Sequence, residues 1–165
     1  MGANKVLWVD PELCVGCQMC ELMCSLQKTG SFNPYLARIK VTKRPEKGLN
    51  LPIICRHCQK AKCQMACPEG ALEREIRTGA VVLNEAKCIG CHACAAACPF
   101  GAIQIGPQGE ILKCDLCGGE PTCVQFCSKR PENTSPLRPN PEGATALKYV
   151  PPHLVTLSKR MAQFR

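Results

Sequence analysis

Sixteen of the 165 residues are cysteine, and they fall into four runs of four. The runs are Cys14-x2-Cys17-x2-Cys20-x3-Cys24, Cys55-x2-Cys58-x4-Cys63-x3-Cys67, Cys88-x2-Cys91-x2-Cys94-x3-Cys98 and Cys114-x2-Cys117-x5-Cys123-x3-Cys127. Three thiolates this close together can wrap one iron–sulfur cube, while a fourth, one helical turn on, reaches a different cube. Four such runs imply four [4Fe–4S] clusters, and four clusters in one small chain imply a path for electrons.

Two other chemistries use many cysteines. A disulfide scaffold belongs to secreted chains, but Met1–Asp10 has no apolar signal core or cleavage site. Disulfide frameworks also do not repeat this spacing. Structural zinc is the stronger rival because C-x2-C is half of a zinc site, yet zinc modules usually pair two such halves across a longer loop, often with histidine. The crowding in the first and third runs suits a cube better than one tetrahedral ion. Pro68 and Pro99 follow Cys67 and Cys98, and the third run completes the bacterial ferredoxin pattern C-x2-C-x2-C-x3-C-P. Sixteen thiolates complete four ligand sets and leave no iron open to substrate, which argues for electron transfer and against catalysis. His57 and His92 are then expected to pack or hydrogen-bond near the cubes, where they would tune reduction potential.

The formal charge of +8 would ordinarily suggest nucleic acid or a membrane surface. Ligation contributes about −16, and four oxidised cores of about +2 each return about +8, so the loaded protein lies near zero. The basic residues balance the clusters, and neither nucleic acid nor a membrane is an expected partner. No apolar run approaches the ~20 residues of a spanning helix, and there is no twin-arginine start. The expected location is the cytoplasm of an anaerobic or microaerobic cell. Only seven residues are Phe, Trp or Tyr, so the organic core is thin and metal binding is expected to be coupled to folding. The iron-free chain should be largely unfolded; native-like amide dispersion after chelation would contradict this.

Short elements must present these thiols. Val6–Val9 reads as a strand leading to the first run. A polar stretch with Gly30 and Pro34 follows Cys24, and Ala37–Val41 alternates as a half-buried strand. Pro45–Asn50 reads as a turn, and Leu51–Ile54 as a strand delivering Cys55. Gly70–Leu72 and Gly79–Leu83 form an expected hairpin before Cys88, and Ile103–Ile105 with Glu110–Lys113 another before Cys114. Segment 128–144, with few apolar residues, reads as a loop, followed by a strand at Ala146–Val150. Leu154, Leu157 and Met161 recur at helical spacing in a basic tail, which is either a helix docked on its own domain or one that binds a partner subunit.

The residues flanking each run suggest which runs exchange ligands. Proline follows Cys67 and Cys98, whereas Ser25 and Ser128 follow Cys24 and Cys127. Residues 55–99 also have the length of a two-cluster ferredoxin domain. The expected fold is therefore α+β: an inner two-cluster ferredoxin-like domain (55–99) inserted in an outer one (1–54 and 100–150), with a helical tail at 151–165. The ligand sets follow: Cys14, Cys17, Cys20 and Cys127 (centre A); Cys24, Cys114, Cys117 and Cys123 (centre B); Cys55, Cys58, Cys63 and Cys98 (centre C); and Cys67, Cys88, Cys91 and Cys94 (centre D). A tandem scheme, first run with second and third with fourth, is the alternative. The enlarged loops Gln59–Lys62 and Gly118–Thr122 are either docking sites or solvated loops.

Cys20-Glu21-Leu22-x-Cys24-Ser25, Phe32-Asn33-Pro34 with Arg38-Ile39, and Lys113-Cys114-Asp115-Leu116-Cys117-Gly118-Gly119 resemble the four-cluster, sixteen-iron ferredoxin-like subunits of molybdenum, tungsten and carbon monoxide dehydrogenase complexes. The resemblance covers residues 5–127 and the Ala146–Val150 strand. It implies nested ligand exchange, no chemistry of the subunit's own, and passage of electrons between a large catalytic oxidoreductase subunit and another carrier, such as a flavin/NAD subunit or a ferredoxin. The chain looks most like the small subunit beside tungsten aldehyde oxidoreductases. Subunits of carbon monoxide dehydrogenase, formate dehydrogenase or hydrogenase complexes are runners-up, a free polyferredoxin is a further alternative, and self-association would lengthen the wire. Ser128 departs from the family, in which many relatives have proline after the last cysteine.

Overall fold

The computed structural model describes residues 5–128 and 145–155. Its longest element is α1 (Met19–Thr29), and the remaining helices are short: α2 (Lys62–Met65), α3 (Ala93–Ala96) and α4 (Thr122–Ser128). The strands are β1 (Val6–Val9), β2 (Lys40–Arg44), β3 (Leu49–Ile53), β4 (Leu72–Arg74), β5 (Val81–Leu83), β6 (Gln104–Ile105), β7 (Ile111–Leu112) and β8 (Leu147–Val150). They form four separate antiparallel ribbons: β2–β3, β4–β5, β6–β7 and the long-range pair β1–β8, in which Val6 faces Val150 and Val9 faces Leu147. Two-stranded ribbons are marginal alone in water, so each depends on what its inner face covers.

Apolar packing falls into two clusters. One joins Cys20, Cys24, Ala37, Ile39, Val41, Ile54, Cys123 and Leu147. The other joins Ala61, Leu72, Val81, Cys94, Ile103 and Ile111. Helix α1 packs on α4 in the first, and α2 lies against α3 around the second.

Helix α1 is not evident from the cysteine spacing, which reads past Cys24 as a polar stretch. Its ends carry ordinary signals: Glu21 in the first turn, Lys28 in the last, and left-handed Gly30, whose N–H donates to Leu26 O. The expected strand at Ala37–Val41 is displaced to Lys40–Arg44. Ala37 and Ile39 are both buried, and the intervening Arg38 N–H turns to Cys24 Sγ at 3.3 Å instead of to a strand partner. The expected turn at Pro45–Asn50 is shorter: a 3-10 turn at Pro45–Lys47 ends on left-handed Gly48 (φ 58°), and β3 begins at Leu49. The two later hairpins, β1 and the returning strand lie where the sequence places them, within two residues at their ends. The loop expected at 128–144 falls almost wholly outside the described residues, as do Leu157 and Met161 of the tail; residues 152–155 form one helical turn.

Buried polar groups explain why the α1 motif has its composition. Glu21 is 3% exposed and its Oε1 accepts the Val41 N–H. The fully buried Ser25 hydroxyl donates to Leu22 O at 2.8 Å and accepts the Asn33 N–H at 3.1 Å. Lys28 Nζ meets Asp115 Oδ2 at 2.6 Å, joining α1 to the fourth run. These side chains of α1 satisfy the N–H of Val41 in β2 and of Asn33 in the loop before Pro34. Glu21→Ala leaves the Val41 N–H unpaired in the core and should cost about 2 kcal/mol, read as a lower urea midpoint of the anaerobic holoprotein. Glu21→Gln keeps an accepting oxygen and should lose less than half as much; equal losses would contradict this role.

Candidate iron–sulfur centres

All four runs share one backbone device. The residue before the second cysteine is left-handed in each: Gly16 (φ 70°), His57 (φ 46°), Gly90 (φ 70°) and Leu116 (φ 58°). Glycine adopts this conformation freely, whereas a bulky side chain does so under strain, typically at a functional site. The reversal curls the loop so that successive amides and sulfurs face one concavity. A helix then carries the third cysteine in every run: Cys20 on α1, Cys63 on α2, Cys94 on α3 and Cys123 on α4. On α1 and α4 the fourth cysteine follows within the same helix at i+4, on the same face and about 6 Å further along the axis. It is thereby offset from the pocket of its own run.

The concavities are closed by cysteines from two runs. Cys14, Cys17, Cys20 and Cys127 line one space of about 370 Å³. Cys24, Cys114, Cys117 and Cys123 line another of about 320 Å³. Cys55, Cys58, Cys63 and Cys98 line a third of about 370 Å³. Cys67, Cys88 and Cys94 lie in or against the second apolar cluster, and Cys91 is exposed.

The electrostatics of these spaces fit a cationic core. Burial pushes the Cys114 thiol up to about 12, with the Leu116 backbone N–H and Lys113 opposing and the Cys55 and Cys24 charges reinforcing the rise. Burial also drives Cys123 well above its ordinary value, reinforced by Cys114, Cys24, Cys20 and Cys117. Cys20 rises likewise through burial, then through Cys17, Glu21, Cys14 and Cys127. Such thiols ionise together only when a positive group compensates them.

Hydrogen-bond donors are already aimed at the sulfurs. Ala71 N–H reaches Cys67 Sγ at 3.2 Å, and Ala102 N–H reaches Cys98 Sγ at 3.4 Å. These equivalent i+4 contacts make the second and third runs internal repeats, each ending in Cys-Pro-x-Gly-Ala. Among the described residues, the buried side-chain polar atoms without a partner are Arg38 Nε and His57 Nε2. Arg38 lines the Cys24 space and His57 the Cys55 space. Burial, with the Lys113 and Arg74 charges, pushes His57 down to about 3, so its ring is neutral. Its Nδ1 accepts the Val81 N–H at 3.0 Å, which leaves the proton on Nε2 as an unused donor. A sulfur-rich cube in each space would supply acceptors for both groups. His92 instead ties the start of α3 to the β6–β7 turn, with Nε2 2.7 Å from Gly109 O.

Sequence reasoning passed over Lys113 except as a motif letter. It is 3% exposed, and its Nζ lies 3.0 Å from Cys55 Sγ, 2.7 Å from Val81 O and 3.2 Å from Cys114 O. A lysine directly after the apolar pair Ile111-Leu112 and directly before a ligand-type cysteine was the available signal. Of the two enlarged loops, the first is held by Arg74, whose guanidinium donates to Cys58 O and Gln59 O. The second has Pro121 and Thr122 buried while Gly118 and Glu120 are exposed.

Comparison with known proteins agrees with this chemistry. Residues 46–135 match the family model of the 4Fe-4S dicluster domain. The "aliphatic sulfonate oxidoreductase, polyferredoxin-like subunit" of Pyrococcus furiosus is 44% identical over 124 residues, covering 73% of this chain and 71% of that one. "Electron transport protein HydN" of Escherichia coli is 32% identical over 152 residues, covering 75% and 83%. "Uncharacterized ferredoxin MJ0265" of Methanocaldococcus jannaschii is 51% identical over 84 residues, and the chain spans 48% of its length. With the curled thiolate loops and the unused donors beside them, these likenesses place the chain in the ferredoxin-like family of [4Fe–4S] electron-transfer proteins that carry the dicluster domain.

Proposed function

We propose that the chain is a non-catalytic electron-transfer subunit carrying four [4Fe–4S] centres, A to D, on the sixteen cysteines as grouped above. The observation that carries this reading is the make-up of the three thiol-lined spaces. Each takes three cysteines from one run and the fourth from another: Cys127 completes the first run, Cys24 the fourth and Cys98 the second. The remaining set, Cys67 with Cys88, Cys91 and Cys94, follows by the same exchange. When bound, each cube supplies one reversible electron position, and the protein supplies spacing, burial and N–H donors to sulfur.

The same contacts support a linear order. Cys20 of A is among the thiols whose charge raises Cys123 of B. Cys55 of C acts likewise on Cys114 of B, and Cys63 of C on Cys94 of D. The relay thus runs A, B, C, D, which in chain order is first, fourth, second and third run. The nested domains are part of this proposal: the first apolar cluster holds cysteines of the first and fourth runs, and the second holds those of the second and third. Residues 100–150 are expected in the outer domain, but Ile103 and Ile111 pack in the second cluster, which supports counting the β6–β7 hairpin with the inner unit in this proposal.

The partner in this reading is a large catalytic oxidoreductase subunit, and tungsten aldehyde oxidoreductase is the parent we favour. The name of the Pyrococcus relative, a subunit of an oxidoreductase, supports a complex of this general kind. Among the described residues no helix is long and apolar enough to cross a membrane. The many reduced, metal-ligating cysteines lead us to propose a cytoplasmic location.

Two experiments test these proposals. Cys24→Ala and Cys117→Ala should each lower iron from about 16 to about 12 per chain, and the double variant should also hold about 12, because both remove the same cube. A double variant with about 8 irons would break the pairing. Anaerobic purification of the native complex should bring down tungsten with a large subunit; nickel in its place would redirect the parent to carbon monoxide dehydrogenase or hydrogenase.

A further inference from the structure

Lys113 is a buried ammonium without a carboxylate. Among the described residues no Asp or Glu pairs with it, and the nearby Asp115 is engaged by Lys28 at 2.6 Å. Two of its contacts are backbone carbonyls, Val81 O and Cys114 O, and the third is Cys55 Sγ at 3.0 Å. Neutral carbonyls solvate an ammonium but do not cancel its charge, and an uncompensated buried charge is costly. The one partner able to carry negative charge is therefore the cysteine sulfur. The position is also special along the chain. Lys113 follows β7 of the inner unit, precedes a cysteine assigned to centre B, and reaches across to a cysteine assigned to centre C.

We infer that Lys113 is a potential-setting residue: its ammonium, hydrogen-bonded to Cys55 Sγ, is the internal counter-ion of the iron–sulfur centre held by Cys55 and raises that centre's reduction potential. The inference rests on the ligand reading proposed above. A fixed positive charge favours whichever oxidation level is more negative. One electron entering the centre from its neighbour or from a chemical reductant lowers the cube charge by one, and no proton needs to move. The N–H···S bond acts in the same direction, because it strengthens as the thiolate gains electron density. The field is not confined to one sulfur: Nζ also lies 3.2 Å from the carbonyl oxygen of Cys114, a residue assigned to the neighbouring centre. The centre touched directly at Cys55 should feel it most, the Cys114 centre less, and the two outer centres least. Placed between B and C, the charge makes the middle of the relay easier to reduce than it would otherwise be.

The test uses the full-length holoprotein, with iron and acid-labile sulfide counted on every sample. Redox titration followed by electron paramagnetic resonance should show Lys113→Met lowering one centre's reduction equilibrium constant at least tenfold, equivalent to 59 mV for a one-electron couple. Lys113→Arg, which keeps charge and donors, should restore most of that shift at equal iron content. Four unchanged midpoints in a fully loaded Lys113→Met protein would overturn the inference. Should the Met variant fail to load, the wild-type protein still decides the matter. Selective 15N labelling of the lysine side-chain nitrogen should change the nitrogen coupling seen by pulsed resonance on one reduced centre. Absence of a lysine coupling on every reduced centre would overturn it. An iron count far from about 16 would instead indict the ligand reading, and the lysine coupling would still report on the contact itself.

Discussion

Thiolates buried beside one another repel, and the structure brings four of them around a single small space at least three times. Protein groups alone leave these sulfurs protonated: burial and mutual repulsion hold Cys20, Cys114 and Cys123 high. The arrangement becomes favourable when cationic metal cores neutralise the sulfur charge, and then folding and metal binding are one equilibrium. This explains how a chain with few aromatic residues, and with only two-stranded ribbons among the described residues, holds its short elements together. Apolar residues such as Ile39, Val81 and Leu147 cover the thiol-lined spaces.

The same constraint dictates the backbone. Sulfurs separated by two residues face one concavity only if the chain reverses between them, and the reversal falls before the second cysteine in every run. Where glycine occupies that position the turn is unstrained. Where His57 and Leu116 occupy it, the strained residue is also buried or half-buried against the site. His57 gains a further role there, with one ring nitrogen on β5 and the other free to donate.

Much of this was legible in the sequence, because cysteine spacing reports ligand geometry directly. Strands such as β1 and the two later hairpins were visible as short apolar runs, the hairpins bounded by turn residues. What was hidden depends on contacts between segments distant in sequence. The helix at Met19–Thr29 was masked because its cysteines read as a metal loop, although Glu21, Lys28 and Gly30 mark its ends. The strand at Ala37–Val41 was misplaced because burial of Ala37 and Ile39 comes from packing beneath the first cluster, not from pleating. Lys113 entered only as the end of an expected strand and a letter of the resemblance motif; only the fold reveals that its ammonium sits against Cys55, 58 positions away. The residues that bind could be read from spacing, while those that hold and tune the binders could not.

In the proposed grouping, ligands are exchanged within the outer unit and within the inner unit, and Lys113 links the two: it precedes Cys114 and its Nζ reaches Cys55 Sγ. The central claim is a row of four cubes in the chain order first, fourth, second, third run. Iron anomalous diffraction from anaerobically grown crystals of the holoprotein tests it most directly. Four iron peaks in one row are expected, with the peak at Cys114 and Cys117 lying between those at Cys14 and Cys55. Fewer than four peaks, or a first-run peak whose nearest neighbour is bound by the second run, would contradict it.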